Sequence, residues 1–412
     1  MMSGKAYIPS SNSLLNKFRY FIGRLGRNIF FCRNLVFLQL DTKIRRIQNL
    51  ENENMNIATI RLLSQQLQKP AFSEPKDLVA WMGAIQAQEP TMAKWAVGVR
   101  LKAGTLQKVE RALEKGEILR THVMRPTWHM VAAEDIRWML KLSSRRILQA
   151  VDSYSKGRGL EMTESFYAQS NRLLEKILMG NKSLTRQEIA AEFNRVGVCA
   201  DDHRINYFLT RAELEGIVCS GVEKAGKFTY ALLEERAPLV AELTKDESLA
   251  RLAKNYFRSH SPASLQDFIW WSGLSTTEAR QAIYLIEPEL ITETAEGQDF
   301  YIHESCNLKG RMAESVHLLP SYDEYLISYK KRTDVLPLEH HPKAFNNFGT
   351  FYPVILYKGK VIGNWKKAIV KNQPQINISF FEADLCPDEV LLQKAKEQYF
   401  HFLGKTQTLS MR

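Results

Sequence analysis

The tripeptide Gln86-Ala87-Gln88, followed by Glu89-Pro90, is the least ordinary short segment of the chain. A carboxamide has no useful pKa, so neither glutamine serves as an ordinary general base. Each can accept a hydrogen bond from water and donate one to a polar group. On a continuous helix, residues two apart point to nearly opposite sides. Glu89 precedes a proline and is biased out of helical geometry. The spacing therefore predicts both amides at a helix end, where unwinding brings them to one cleft. Two solvated glutamines at a frayed terminus would show the same spacing.

A second concentration is Arg120, His122, Arg125 and His129, on two neighbouring strands bent at Pro126. One histidine on a strand is commonly structural. Two histidines and two arginines on one hairpin leave a functional surface and a structural one equally open. The run Gly221-Val-Glu-Lys-Ala-Gly226-Lys227-Phe228 nearly spells a phosphate loop but fails twice. Phe228 stands where the hydroxyl for Mg²⁺ is needed, and a strand follows where a helix must start. Lys224 and Lys227 then sit at a hairpin tip, where they meet either a phosphate backbone or solvent. No H-E-x-x-H or G-x-S-x-G pattern occurs, and His340-His341 beside Pro342 reads as surface. No metal or cofactor is expected.

The elements that would carry these residues repeat. In the middle of the chain Thr185 caps a helix with Glu188 at N3, a capping box. A second helix runs from about Asp201 to Glu215, and a hairpin follows. Ser264 with Asp267 and Ser275 with Glu278 start the helices of a third copy, which ends in the strands around Ala295–Gln298. The first copy reads as larger, with Ser73 capping a helix from Lys76 to about Ala87, Pro90 starting another, and a third from Thr105 to Lys115. After residue 310 the runs V-H-L-L-P-S-Y-D-E-Y-L-I-S-Y, Y-P-V-I-L-Y and K-V-I-G-N-W-K read as strands. A helix from Asp388 to Phe402 closes the chain. The expectation is an α+β protein: three tandem winged-helix units at 55–165, 166–240 and 241–310, then a β-containing, small barrel-like domain at 311–412.

With 412 residues, 25% charged and 45% hydrophobic, wholesale disorder and a disulfide mini-scaffold are excluded. The net charge is +11, which suits a polyanion such as nucleic acid or a membrane surface. Residues 1–54 carry nine Lys and Arg against three Asp and Glu, so +6 of that excess sits in the first eighth. This segment is read as a non-essential basic extension, which weakens global charge as an argument for DNA. The five cysteines are scattered with no C-x-x-C pair, a pattern of a reducing compartment. No apolar run reaches 18 residues, so a soluble cytoplasmic chain without membrane contact is expected.

The run L-V-A-W-M-G-A-I-Q-A-Q, then R-T-H-V-M-R-P-T-W-H, then L-L-P-S-Y-D-E-Y-L and V-I-G-N-W resembles a bacterial winged-helix DNA-binding family. That family includes the alkylpurine and crosslink-unhooking DNA glycosylases of the azinomycin-resistance type. The resemblance covers residues 57–400 in order. It implies three winged helices and a C-terminal β domain around a DNA channel, with Gln86 and Gln88 as the catalytic pair. It also implies alkylated or crosslinked double-stranded DNA as the partner; a monomer is expected. The family's usual R-G-T-L-H appears here as Arg125-Pro126-Thr127-Trp128-His129, and Ala87 is smaller than the usual bulky apolar residue.

Two amides suffice when the leaving group is already activated. An N7-alkylated guanine is cationic and leaves with little acid assistance. The remaining task is to place a water and stabilise an oxocarbenium-like sugar. The implied activity is a monofunctional DNA glycosylase hydrolysing the N-glycosidic bond. Arg120, His122, Arg125, His129, Lys224 and Lys227 are the expected DNA contacts. A non-catalytic DNA-binding protein or transcriptional regulator, or a winged-helix protein-interaction module, fits the same elements.

Overall fold

One plan recurs three times: a lead helix, a very short strand, two helices and a β-hairpin. The computed structural model describes residues 56–157, 162–201, 203–295, 297–308, 312–370 and 373–405. The reading of residues 1–54 as an extension lies outside them. After helix α1 (Ile57–Ser64), the first unit runs α2 (Pro75–Met82), β1 (Ile85–Gln86), α3 (Pro90–Gly98), α4 (Leu106–Glu114), β2 (Ile118–His122) and β3 (Trp128–Ala132). The long α5 (Ile136–Gly157) follows. The second unit is α6 (Glu164–Leu178), β4 (Leu184–Thr185), α7 (Arg186–Arg195), α8 (Arg204–Leu214), β5 (Val218–Ser220) and β6 (Thr229–Leu232). The third is α9 (Lys245–His260), α10 (Leu265–Ser272), α11 (Thr276–Leu285), β7 (Leu290–Ala295) and β8 (Gln298–His303). In the first two units the short strand adds to the hairpin, giving orders β1-β3-β2 and β4-β6-β5. In the third, a single bridge from Ala263 to Tyr301 takes that place.

The local chemistry explains the helix starts. Thr185 and Glu188 form the expected capping box, as do Ser264 with Asp267 and Ser275 with Glu278. Each reciprocal cap satisfies two amide groups that the first turn leaves unpaired. Pro90 opens α3, with the Glu89 carboxylate accepting from Met92 N–H.

The first unit departs from the expectation. It follows the same plan as the other two and is not larger. Ser73 does not cap α2; Glu74 occupies that position without a side-chain bond. The helix ends at Met82 because Gly83 takes φ +78°, and a Cβ there would sit 3.1 Å from Asn255 Cβ on α9. Only glycine permits both the turn and the close approach. The chain beyond Gly83 is therefore extended, and Gln86 lies in a strand rather than at a helix end.

The C-terminal stretch is an open four-stranded antiparallel sheet in the order β12-β11-β10-β9, from β9 (Val316–Leu319), β10 (Val354–Tyr357), β11 (Lys360–Val370) and β12 (Gln373–Phe380). The two outer strands, β9 and β12, are not paired, so among the described residues it does not close into the expected barrel. The D-E-Y-L segment is also not a strand: Glu324–Ile327 is a short helix, α12, capped by Asp323. Helix α13 (Glu389–Phe402) covers the sheet.

The core crosses the expected boundary at residue 311. Trp95 of α3 is buried with Leu318 of β9, Trp365 of β11 and Tyr399 of α13. The Trp95 indole donates to Leu318 O at 2.6 Å and meets the Tyr399 ring edge-on at 5.0 Å. Such an aromatic pair contributes about 0.5–1.5 kcal/mol beyond area burial. Arg100 grips Asp323 through two bonds of 2.8 and 2.9 Å, both side chains buried. The first unit and the sheet thus form one core that fixes α12 against β1.

Candidate active site at the first hairpin

Strand β1 is two residues long, and its position decides what the glutamines can do. Ile85 pairs with Met130 and Gln86 with His129 across the antiparallel ladder. Ala87 N–H continues the pairing by donating to Trp128 O at 2.7 Å. In an extended segment residues two apart project to the same side. Extension, not the unwinding of a helix end, is what relates Gln86 and Gln88.

Both amides are held through their oxygens. Arg125 Nη2 donates to Gln86 Oε1 at 2.8 Å, and Trp128 N–H donates to Gln88 Oε1 at 2.9 Å. Because both partners are donors, the atoms they meet must be the carbonyl oxygens, which fixes each amide's orientation. Each oxygen keeps a second lone pair, and each amide nitrogen remains a donor. Gln86 is only 4% exposed, whereas Gln88 is half-buried.

Arg125 also approaches His129 Nε2 at 3.5 Å. Burial, and secondly the Arg125 charge, push the His129 imidazole down to about 3. The ring is therefore neutral at physiological pH. Its Nδ1–H donates to Thr127 O at 3.0 Å, leaving Nε2 to face the guanidinium. Burial lowers the Arg125 pKa while the Glu324 charge raises it. Three buried polar atoms here, Arg125 Nε, Thr127 Oγ1 and Trp128 Nε1, have no partner among the described residues. Unsatisfied groups of this kind are uncommon in folded proteins and ask for an explanation.

Glu324 lies under the same strand. Its Oε1 accepts from Gln86 N–H at 2.6 Å, and its Oε2 accepts from Trp271 Nε1 at 3.3 Å and from the Ser328 hydroxyl. Burial opposes its ionisation, but the His260 ring, the Ser328 hydroxyl and Gln86 N–H outweigh burial and hold its pKa below the ordinary range. At 3.8 Å the His260 nitrogen is too distant for a full hydrogen bond, and burial lowers that ring's own pKa. The fixed donors are therefore the two N–H groups and the hydroxyl. Glu324 lies in the run L-L-P-S-Y-D-E-Y-L, where no neighbouring motif marks it for a task. The available signal was Asp-Glu inside an apolar stretch, where buried carboxylates require partners.

The other expected contacts separate into two groups. Arg120 is 8% exposed, its guanidinium lying 4.4 Å from the Trp128 ring and 4.3 Å from the Phe228 ring, with Nε donating to Ala87 O at 3.0 Å. His122 is 6% exposed, and its Nδ1 donates to the buried Glu213 Oε2 at 2.5 Å. Both join the first hairpin to the second unit instead of facing solvent. Lys224 and Lys227 are exposed at the second hairpin tip, as expected, with Lys224 paired to Glu188 at 3.1 Å. A cleft of about 430 Å³ is lined by Lys141, Arg145, Arg146 and Lys245 together with Glu278, which pairs with Lys245 at 2.9 Å. It adjoins the hairpin, since Arg146 Nη2 donates to Met124 O at 3.2 Å. Arg145 and Arg146 adjoin in the sequence and share α5 with Lys141, whereas Lys245 on α9 joins them only through the packing of the two helices.

A repeated helix–helix–hairpin framework holding two amides beside a neutral imidazole and a guanidinium suits a DNA glycosylase. The family model described as DNA glycosylase AlkZ-like matches residues 79–402, and the chain belongs to that family. It is thereby an N-glycosyl hydrolase of DNA. A curated relative, the interstrand DNA cross-link repair glycosylase of Streptomyces sahachiroi, is 22% identical over 324 residues, 74% of this chain and 85% of the relative. The solved structure of Streptomyces sahachiroi DNA glycosylase AlkZ superposes with a TM-score of 0.70 at 20% identity, covering 86% of this chain and 97% of that one. At that identity the structural likeness supports the fold alone.

Proposed function

We propose that this glycosylase excises N7-alkylated purines or unhooks crosslinks through them, with Gln86 and Gln88 as the catalytic pair. The observation that carries the reading is the fixing of both amide oxygens by donors, Arg125 Nη2 and Trp128 N–H. Pinned amides can hold a water through their free lone pairs and N–H groups without changing protonation state. When the C1′–N9 bond breaks, its electron pair stays with the base and neutralises the N7-alkyl cation. The water oxygen bonds to C1′ and releases a proton to solvent. No strong acid or base is needed, because the lesion supplies its own activation. The side chains gathered here include no primary amine, which suits a monofunctional hydrolase.

In this reading the three repeated units are winged helices at 55–165, 166–240 and 241–310, and 311–412 is a β-containing region whose sheet shares the first unit's core. The neutral pair predicts little action on ordinary bases. Arg125 acts at the lesion, while Lys224, Lys227 and the α5 cleft cations meet phosphates. Arg120, His122 and the fully buried His129 leave the DNA-facing set because they are buried and engaged. The curated relative's name, a cross-link repair glycosylase, supports crosslinked DNA as a substrate here. Release of free base from N7-methylguanine DNA, leaving an abasic site, tests this reading; a sequence-specific footprint without base release would replace it with a regulator.

A further inference from the structure

The catalytic pair proposed above is neutral, and the nearest charge, Arg125, has the wrong sign for a cationic sugar. Glu324 supplies the opposite sign. It is fully buried, and among the described residues no Lys or Arg forms an ion pair with it, while the buried His260 imidazole stands 3.8 Å away. Its hydrogen-bond donors, Gln86 N–H, Trp271 Nε1–H and the Ser328 hydroxyl, are all uncharged. Burying an ion without a Lys or Arg partner costs several kcal/mol in general. The three donors reach both oxygens, which a carboxylate can accept on and an amide cannot. They also place the charge at the site: one oxygen is 2.6 Å from the backbone nitrogen of Gln86 itself.

We propose that Glu324 is the buried negative charge against which the cationic transition state forms, a positioning residue acting through the Gln86 backbone and through its field. It does not touch substrate. The charge is held by preoriented neutral dipoles, so it does not reorganise during the reaction, the condition under which electrostatic stabilisation is most effective. Arg125 and Glu324 together leave the site close to electroneutral in the ground state. The sugar then acquires positive charge within reach of the carboxylate.

The proposal rests on the catalytic reading of Gln86 and Gln88 and is tested separately by binding. Two non-cleavable duplexes are compared, one carrying a protonated pyrrolidine in place of the sugar, the other a neutral tetrahydrofuran. Wild type should prefer the cationic duplex by about tenfold or more, the scale of two unit charges several ångströms apart at an effective dielectric near 20. Glu324→Gln should abolish most of that preference, weakening the cationic duplex well beyond any loss of tetrahydrofuran affinity. A purely structural role would weaken both duplexes equally and overturn the proposal. A wild type without cationic preference would overturn it with no variant needed. Absence of base release by wild type, with the preference intact, would instead count against the glycosylase reading alone.

Discussion

Gln86 and His129 stand directly opposite each other in the antiparallel pair of β1 and β3, and Arg125 reaches both, at 2.8 Å and 3.5 Å. The arrangement couples the motif in the first helix–helix segment to the hairpin some forty residues later. The short strand gives Gln86 its backbone partner, and the hairpin bend returns Arg125 over it. The corresponding strands of the other units end at Thr185 and beside Ser264, which cap helices. In the first unit the strand ends at Gln86 and the helix cap falls three residues later, at Glu89.

Arg125 is engaged with Gln86, so its removal should act on chemistry before affinity. Arg125→Ala frees the Gln86 oxygen and should lower the single-turnover excision rate by about tenfold or more. The slope of log K against log salt should stay close to wild type. A slope shallower by about 0.9 would instead identify Arg125 as a phosphate contact.

The exposed cations should behave in the opposite way. Lys224→Ala with Lys227→Ala should flatten the salt slope by up to about 1.8 if both touch phosphate. Arg145→Ala with Lys245→Ala, in the α5 cleft, tests the second track by the same measurement. Single-turnover rates at saturating protein should be nearly unchanged in both double variants. An unaltered slope would assign the pair concerned to solvent.

His129 carries an acid sensitivity. Its pKa is depressed to about 3 in the fold against about 6.5 when unfolded, so below pH 6.5 the unfolded chain binds a proton that the native state refuses. The stability it contributes is present above pH 6.5 and lost as pH falls towards 3, amounting to at most about 4 kcal/mol. Urea denaturation from pH 7 to pH 4 should show a weaker pH dependence for His129→Asn than for wild type. Equal dependence would mean that the imidazole is not buried neutral.

The capping boxes made the starts of α7, α10 and α11 legible in the sequence, because Ser or Thr three residues before Glu or Asp is a local signal. Pro90 and the hairpin turns were equally local. What escaped depended on distant residues. Gly83 ends α2 because α9 presses on it, and the first unit's regularity was hidden by reading that helix through to Ala87. Glu324 reaches Gln86 across 238 positions. Arg120 and His122 looked like surface cations, yet Phe228 and Glu213 of the second unit cover them. The β propensity of the residues around Asp323 suggested a strand, but the Arg100 ion pair and the Asp323 cap impose a helical turn.

The central claim is that two pinned amides carry out the hydrolysis. Single-turnover excision and equilibrium binding on one N7-methylguanine duplex, for wild type, Gln86→Ala and Gln88→Ala, address it most directly. Loss of one positioned group of this kind typically costs about a hundredfold or more in rate. The account predicts that each variant loses excision on that scale while binding the duplex with nearly wild-type affinity. Excision at the wild-type rate by both variants would contradict it.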